Sequence, residues 1–130
     1  MRYLDASAIV KLVAPEPESA ALLAYLRSEP DVVSSALAKV EVLRAVRRLQ
    51  HSQRLAQRAE AVLDTIALVA IDDAILARAA DQAPTTLRSL DAIHLATALH
   101  VREDLDSMIA YDERLAAAAR EAGLNVEIPA

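Results

Sequence analysis

The stretch that decides the fold is RYLDASAIVKLVA, which runs from Arg2 to Ala14. RYLD is a short run of the strand type, and SAIVKLVA after it has the composition of a helix. Asp5 stands at the junction between the two. A strand that leads directly into a helix is the first half of a βα crossover, so this stretch predicts a chain that builds a parallel sheet.

The same alternation continues to the end of the chain. Apolar runs predict four further strands, namely DVVSS (31–35), LVAI (68–71), SMIAY (107–111) and NVEI (125–128). Between them lie helical segments, among them ALAKVEVLRAVRRLQ (36–50), QRLAQRAEAVLDTIA (53–67) and LRSLDAIHLATAL (87–99). Apolar rather than alternating runs indicate strands that are buried on both faces. We therefore predict one domain over residues 1–130, a three-layer α/β/α sandwich with a mostly parallel sheet of about five strands.

Composition limits the chemistry that is open to the chain. It has no cysteine, which excludes disulfides, thiolate catalysis and cysteine-bound zinc and leaves oxygen or imidazole as metal ligands. Charges interrupt its apolar runs before they reach the ~20 residues of a membrane span. The N-terminal residues lack the pattern of a signal peptide. We therefore expect a cytoplasmic protein.

Four acidic residues stand out by their positions. Asp5 follows the first predicted strand, Asp112 follows the fourth, Glu41 lies inside a helix, and Asp91 lies near the start of another. Each also has a plain structural explanation. Asp5 and Asp112 fit helix N-caps worth about 1 kcal/mol, and Asp91 fits a stabilising charge at a helix start. Glu41 can pair with Arg44 one turn further on.

Considered together, the four acids favour a metal site. In such a sheet functional groups gather beyond the carboxyl ends of the strands, and carboxylates at that edge would repel one another without a cation between them. Mg²⁺ and Mn²⁺ prefer oxygen ligands of this kind. A bound metal lowers the pKa of water and so supplies hydroxide for phosphodiester hydrolysis.

A basic segment follows Glu41. No acidic residue occurs from Val42 to Ala59, whereas five arginines accumulate there, namely Arg44, Arg47, Arg48, Arg54 and Arg58. The segment is either a phosphate-binding face or an ordinary solvated helix surface. The only aromatic residues are three tyrosines, so a platform that stacks several bases is not expected.

Four strings in the sequence resemble motifs of a known family. In chain order they are YLDASAIVKL (3–12), VEVLRAVRR (40–48), SLDAIHLATAL (89–99) and YDERLAAAAREAGL (111–124). They are similar to the PIN-domain family, specifically to the VapC-like toxins of bacterial toxin–antitoxin pairs, and they span essentially the whole chain. The resemblance implies a PIN-like fold and a Mg²⁺- or Mn²⁺-dependent endoribonuclease that cleaves RNA. It also implies a VapB-type antitoxin as inhibitor, and we expect a homodimer.

The acidic positions of that family match the four acids already singled out. The resemblance makes the catalytic residues Asp5, Glu41, Asp91 and Asp112, with Asp5 and Asp91 as the metal ligands. Glu41 and Asp112 would complete the site directly or through water. Ser7 is placed to hold a metal-bound water, although a first-turn helix position explains it equally well. The arginines expected to hold RNA phosphates are Arg44, Arg47 and Arg48.

Two further residues bear on the site. The family often carries T-x-D before its last acid, whereas this chain reads AYD with Ala110, which implies that one supporting hydrogen bond is missing. His94 lies three residues after Asp91 on the same helical face. We interpret it as a hydrogen-bonded core histidine rather than a catalytic one.

Two other functions remain open on the sequence. One is a PIN-like interaction scaffold that has lost its chemistry, for which Ala110 is the argument. The other is a receiver-type phosphoacceptor module, which is also an α/β fold with strand-end acids. Such a module needs a paired acid at the first strand and a late strand-end lysine, and neither is present.

Overall fold

The computed structural model describes residues 1–49 and 52–130. Within them the chain forms five strands, β1 (Arg2–Leu4), β2 (Val32–Ser35), β3 (Ala67–Val69), β4 (Ser107–Ile109) and β5 (Val126–Glu127). The same residues form seven α-helices, α1 (Ala6–Val13), α2 (Ser19–Leu26), α3 (Leu37–Leu49), α4 (Gln53–Asp64), α5 (Asp73–Ala80), α6 (Ser89–His100) and α7 (Glu113–Glu121). A short 3₁₀ helix, Arg102–Asp104, precedes β4.

The five strands form one sheet in the order β3-β2-β1-β4-β5. Every pairing in it is parallel. The predicted α/β class and five-stranded parallel sheet are therefore confirmed. Because all strands run the same way, their carboxyl ends share one edge, and β1 at the centre has a neighbour on each side.

Helices cover both faces of the sheet. Leu4 and Ile109 belong to a core with α1, α2, α3 and α4. Tyr3 and Met108 belong to a second core with α6 and α7, and α5 packs against α6. Successive strand residues point to opposite faces, so Tyr3 and Leu4 each serve one core, and both are fully buried. This explains why β1 and β4 carry apolar residues on both faces rather than on alternate positions.

The third strand differs from its predicted bounds of 68–71. It pairs with β2 from Ala67 to Val69, and the ladder ends where Ser35 lies opposite Val69. Since β2 stops there, residues 70 and 71 continue as a connection to Asp72, which caps α5. The predicted helix over 36–50 is described as far as Leu49, and Gln50 lies outside the described residues.

The helices of residues 1–49 and 52–130 are all too short or too polar to cross a membrane.

Candidate active site

Two of the four predicted acids follow adjacent strands at the carboxyl edge of the sheet. Leu4 of β1 lies opposite Ile109 of β4, and the backbone N–H of Asp5 donates to the Ile109 carbonyl at 3.3 Å. Asp5 is the N-cap of α1 and Asp112 is the N-cap of α7. The structural explanation given for these two acids is therefore correct, and it places both carboxylates where a site would form.

Asp5 is a buried carboxylate with a defined set of donors. Its Oδ1 accepts from the Ser7 hydroxyl at 2.7 Å and from the Ala8 N–H at 3.0 Å. Burial raises the pKa of Asp5, and these two hydrogen bonds oppose the rise. The charge of nearby Asp91 raises the pKa of Asp5 further. A carboxylate that is costly to ionise in this way gains from a nearby cation.

Glu41 projects from α3 toward the opposite helical layer. Its Oε1 lies 2.6 Å from Nε2 of His94 on α6. The other ring nitrogen, Nδ1, lies 2.7 Å from the hydroxyl oxygen of Tyr3 on β1. His94 is 1% exposed, so it is a buried histidine with a partner on both nitrogens. The expected pair of Glu41 with Arg44 is replaced by this contact between layers.

Asp91 lies in the first turn of α6 and shares a cation with Asp112. Nε of Arg88 lies 3.6 Å from Oδ2 of Asp91, and Nη2 of Arg88 lies 3.7 Å from Oδ2 of Asp112. Burial and then the charge of Asp112 raise the pKa of Asp91, with a smaller contribution from Glu41, while Arg88 lowers it. Asp91 is thus near enough to the other acids for their charges to affect its ionisation.

The donor chemistry of this edge fits a hard divalent cation. The available donors are carboxylate oxygens, and Mg²⁺ is usually held by only one or two carboxylates together with water. Among residues 1–49 and 52–130, no three acidic or histidine side chains are gathered closely enough to hold an ion as they stand. Glu41 is engaged with His94, and Asp91 and Asp112 face Arg88. The arrangement therefore fits a two-carboxylate site better than a cage of three or more protein ligands.

A groove of about 450 Å³ adjoins Glu41, which is the one of the four acids that lines it. Ser7 and Glu41 line it on the side of the site, and Arg48 brings positive charge to its wall, whereas the charge of Lys11 there is paired with Glu16. The other two arginines predicted to bind RNA are Arg44 and Arg47. Both are exposed on α3, and neither lines this groove. A larger cavity of about 940 Å³ lies between residues 82–87 and α7, but none of the four acids lines it. The smaller groove is the one that a substrate at the acidic edge would enter.

Three residues near the site were not predicted from the sequence. Arg88 precedes Asp91 by three residues, a spacing that places both on one face of a helix start. Tyr3 occupies an inward strand position, which by itself indicates only a core residue. Lys11 places its ammonium 2.7 Å from Glu16 and 3.1 Å from Glu18, and it lies 4.6 Å from the centre of the Tyr111 ring. Of these three residues, only Arg88 has a contact, the one with Asp91, that its spacing in the sequence could have predicted.

The alanine that stands in place of the threonine of the T-x-D pattern is fully buried. Ala110 directly follows β4 and is 0% exposed. Its methyl group packs in the core with Met108 and Leu115. A hydroxyl is therefore absent at this buried position beside Asp112, as the AYD reading of the sequence implies.

Comparisons with known proteins agree with this fold. A family model described as PIN domain matches residues 2–121. A Mycobacterium tuberculosis protein named Ribonuclease VapC46 is 48% identical over 98% of this chain and 96% of its own length. Ribonuclease VapC47 of the same species is 35% identical over 99% of this chain and 97% of its own length.

A solved structure shares the architecture at lower identity. The structure described as a toxin-antitoxin complex from Klebsiella pneumoniae has a chain that is 22% identical, with a TM-score of 0.71. The alignment covers 100% of this chain and 98% of that one. The match over residues 2–121 together with the two VapC relatives shows that the chain belongs to the PIN-domain family, among its VapC proteins.

Proposed function

We propose that the protein is a metal-dependent endoribonuclease that hydrolyses RNA phosphodiester bonds and acts as the toxin of a toxin–antitoxin pair. One observation carries this proposal. Asp5, Asp91 and Asp112 lie at the carboxyl edge of the sheet with Glu41, and the neighbouring acids raise the pKa of Asp91. The names of the relatives, Ribonuclease VapC46 and VapC47, supply the reaction class.

In the proposed site Asp5 and Asp91 hold Mg²⁺ or Mn²⁺. The metal, when bound, supplies an acidified water and a positive charge for the scissile phosphate. Ser7 orients Asp5 through its hydrogen bond to Oδ1, which leaves Oδ2 to face a cation. Glu41 uses Oε1 toward His94, so its Oε2 is the atom proposed to accept a proton from the attacking water. Asp112 completes the site directly or through water.

The substrate is proposed to bind along the groove beside Glu41. Arg48 lines this groove, and Arg44 and Arg47 lie exposed on the same helix as Arg48. Such side chains hold phosphates rather than read bases, so binding should be strongly salt-dependent. RNA is therefore expected to be held mainly by its backbone.

The proposed partner is a VapB-type antitoxin, because the chain groups with VapC proteins and has the fold found in a toxin–antitoxin complex. We also propose a homodimer. Size-exclusion chromatography with light scattering tests the dimer on the protein alone. Co-purification with the product of a neighbouring reading frame, and loss of cleavage in that complex, tests the antitoxin.

An inactive scaffold is the second candidate, and the buried Ala110 is the observation that favours it. A scaffold without a working site binds no Mn²⁺ that depends on Asp91. Calorimetric titration of the wild type and Asp91→Asn with Mn²⁺ therefore separates the two candidates. The receiver-type alternative loses its argument, since the chain belongs to the PIN-domain family.

The deciding experiment is cleavage of a mixed RNA pool, mapped at nucleotide resolution. We expect the wild type to cut in Mg²⁺ or Mn²⁺, EDTA to stop it, and Asp5→Asn and Asp91→Asn to abolish it. Asp73→Asn is the matched control, because Asp73 is also an acid in the first turn of a helix but lies on α5. Equal cleavage by the wild type and both site variants would attribute the activity to a contaminant and contradict the proposal.

A further inference from the structure

A chain of hydrogen-bonding groups links the centre of the sheet to the candidate site. Tyr3 on β1, His94 on α6 and Glu41 on α3 are joined by contacts of 2.7 Å and 2.6 Å. Tyr3 is 0% exposed and His94 1% exposed, whereas the side chain of Glu41 is 22% exposed. This series of three hydrogen-bonded side chains therefore begins in the core and ends at a carboxylate that borders the groove.

The direction of the hydrogen bonds follows from the donors available. The Glu41 carboxylate can only accept a hydrogen bond, whereas the Tyr3 hydroxyl can donate one, so both contacts of the ring are satisfied when Tyr3 donates to Nδ1 of His94. A neutral imidazole that accepts at Nδ1 carries its proton on Nε2. That proton then points at Oε1 of Glu41.

The contact spans two helical layers that are otherwise separated by the sheet. Glu41 belongs to the helix that packs on the Leu4 face, and His94 to the helix that packs on the Tyr3 face. Glu41 sits in the middle of α3, where a partly exposed carboxylate without a fixed partner would sample several side-chain rotamers. A donor fixed in the core of the other layer selects one of them.

We propose that His94 is a positioning residue for Glu41, and that Tyr3 fixes the His94 tautomer that donates to it. This inference rests on the proposed function, in which Oε2 of Glu41 accepts a proton from the attacking water. With Oε1 tied to His94, Oε2 keeps one position relative to Asp5 and Asp91. His94 itself touches neither metal nor substrate in this proposal.

The first test is spectroscopic and needs neither metal nor substrate. In ¹⁵N-labelled protein the imidazole resonances report which ring nitrogen carries the proton. His94→Gln identifies the His94 signals among the three histidines of the chain. We expect a ring that carries its proton on Nε2 and none on Nδ1 in the wild type, and a shifted Nδ1 resonance in Tyr3→Phe, because Nδ1 loses its hydrogen-bond donor there. A His94 ring protonated at Nδ1 in the wild type would overturn the proposal.

The second test uses two substitutions of similar size and polarity at position 94. The amide of His94→Gln reaches the place of Nε2 and can still donate to Glu41, whereas the shorter amide of His94→Asn reaches only the place of Nδ1 beside Tyr3. We expect His94→Asn to lower kcat for RNA cleavage by about 10- to 100-fold with KM unchanged. His94→Gln should recover most of that loss.

Equal kcat values for the two variants, at equal thermal stability, would mean that His94 only supports the fold and would overturn the proposal. Failure of the underlying function looks different. In that case the wild type itself cleaves no RNA, or Glu41→Gln cleaves as well as the wild type. Either result would remove the positioning role together with the function.

Discussion

Arg88 and Asp112 face each other across the candidate site, with Nη2 3.7 Å from Oδ2. The same guanidinium lies 3.6 Å from Asp91, so one cation of the protein stands between two of the proposed acids. A divalent metal that approaches Asp91 must compete with it.

We therefore expect Arg88→Gln to raise the affinity for Mn²⁺ by about three- to fivefold, the worth of a largely exposed ion pair. Calorimetric titration without RNA measures this affinity. Arg78→Gln is the control, since it removes the same charge from the exposed surface of α5. Unchanged or weaker binding by Arg88→Gln would show that Arg88 does not compete with the metal.

The raised pKa of Asp91 predicts a pH dependence in the metal-free protein. Below the ordinary pKa of an aspartate the residue is protonated both in the folded and in the unfolded state. Above it the unfolded chain ionises first, so stability is lost as pH rises through the folded pKa. The free energy of unfolding of Asp91→Asn should therefore increase relative to that of the wild type as pH rises from about 4 to 7. Denaturant titrations in EDTA at several pH values test this, and a gap that shrinks with pH would contradict it.

Arg48 is the arginine on α3 that lines the groove beside Glu41. Loss of one phosphate contact to single-stranded RNA lowers the slope of log K against log salt by about 0.7. We expect that change for Arg48→Gln when RNA binding is measured in EDTA, where cleavage is stopped. Arg54→Gln on the exposed start of α4 is the control. An equal slope for Arg48→Gln and the wild type would place the RNA elsewhere.

Ser7 donates to Asp5 at 2.7 Å. Ser7→Ala removes this donor while the Ala8 N–H still caps the carboxylate. We expect the affinity for Mn²⁺ to fall by about tenfold, the usual effect of losing a hydrogen bond that orients a metal ligand. Ser28→Ala is the control, because it removes an exposed hydroxyl from the segment between α2 and β2. It should leave the affinity for Mn²⁺ unchanged. If both variants bind Mn²⁺ like the wild type, Ser7 is only a first-turn helix residue.

The fold was predictable from the sequence because its determinants are local. The strands β1 to β4 are short, and each leads into a helix, so the pattern that begins with RYLDASAIVKLVA already indicates a parallel sheet. The bounds of β3 were not predictable, because they depend on where β2 stops at Ser35. That is a relation between strands that are far apart in the chain.

The candidate site was predictable to a similar depth. Asp5 and Asp112 follow strands, so strand direction brings them to one edge. The partner of Glu41 was not predictable, since His94 is 53 residues away and lies on a helix that covers the other face of the sheet. The contact of Arg88 with Asp112 was not predictable either, because the two residues belong to separate elements and no spacing in the sequence relates them.

Asp5 and Asp112 also start α1 and α7 through their Oδ1 atoms. Asparagine caps a helix about as well as aspartate, and it carries no charge for a metal. A single Asp-to-Asn replacement at either position therefore leaves a protein that folds but has lost one ionic group of its site. Under the proposed function, such a replacement silences the protein at little cost in stability, so silenced copies should persist as folded proteins rather than be cleared as unfolded ones.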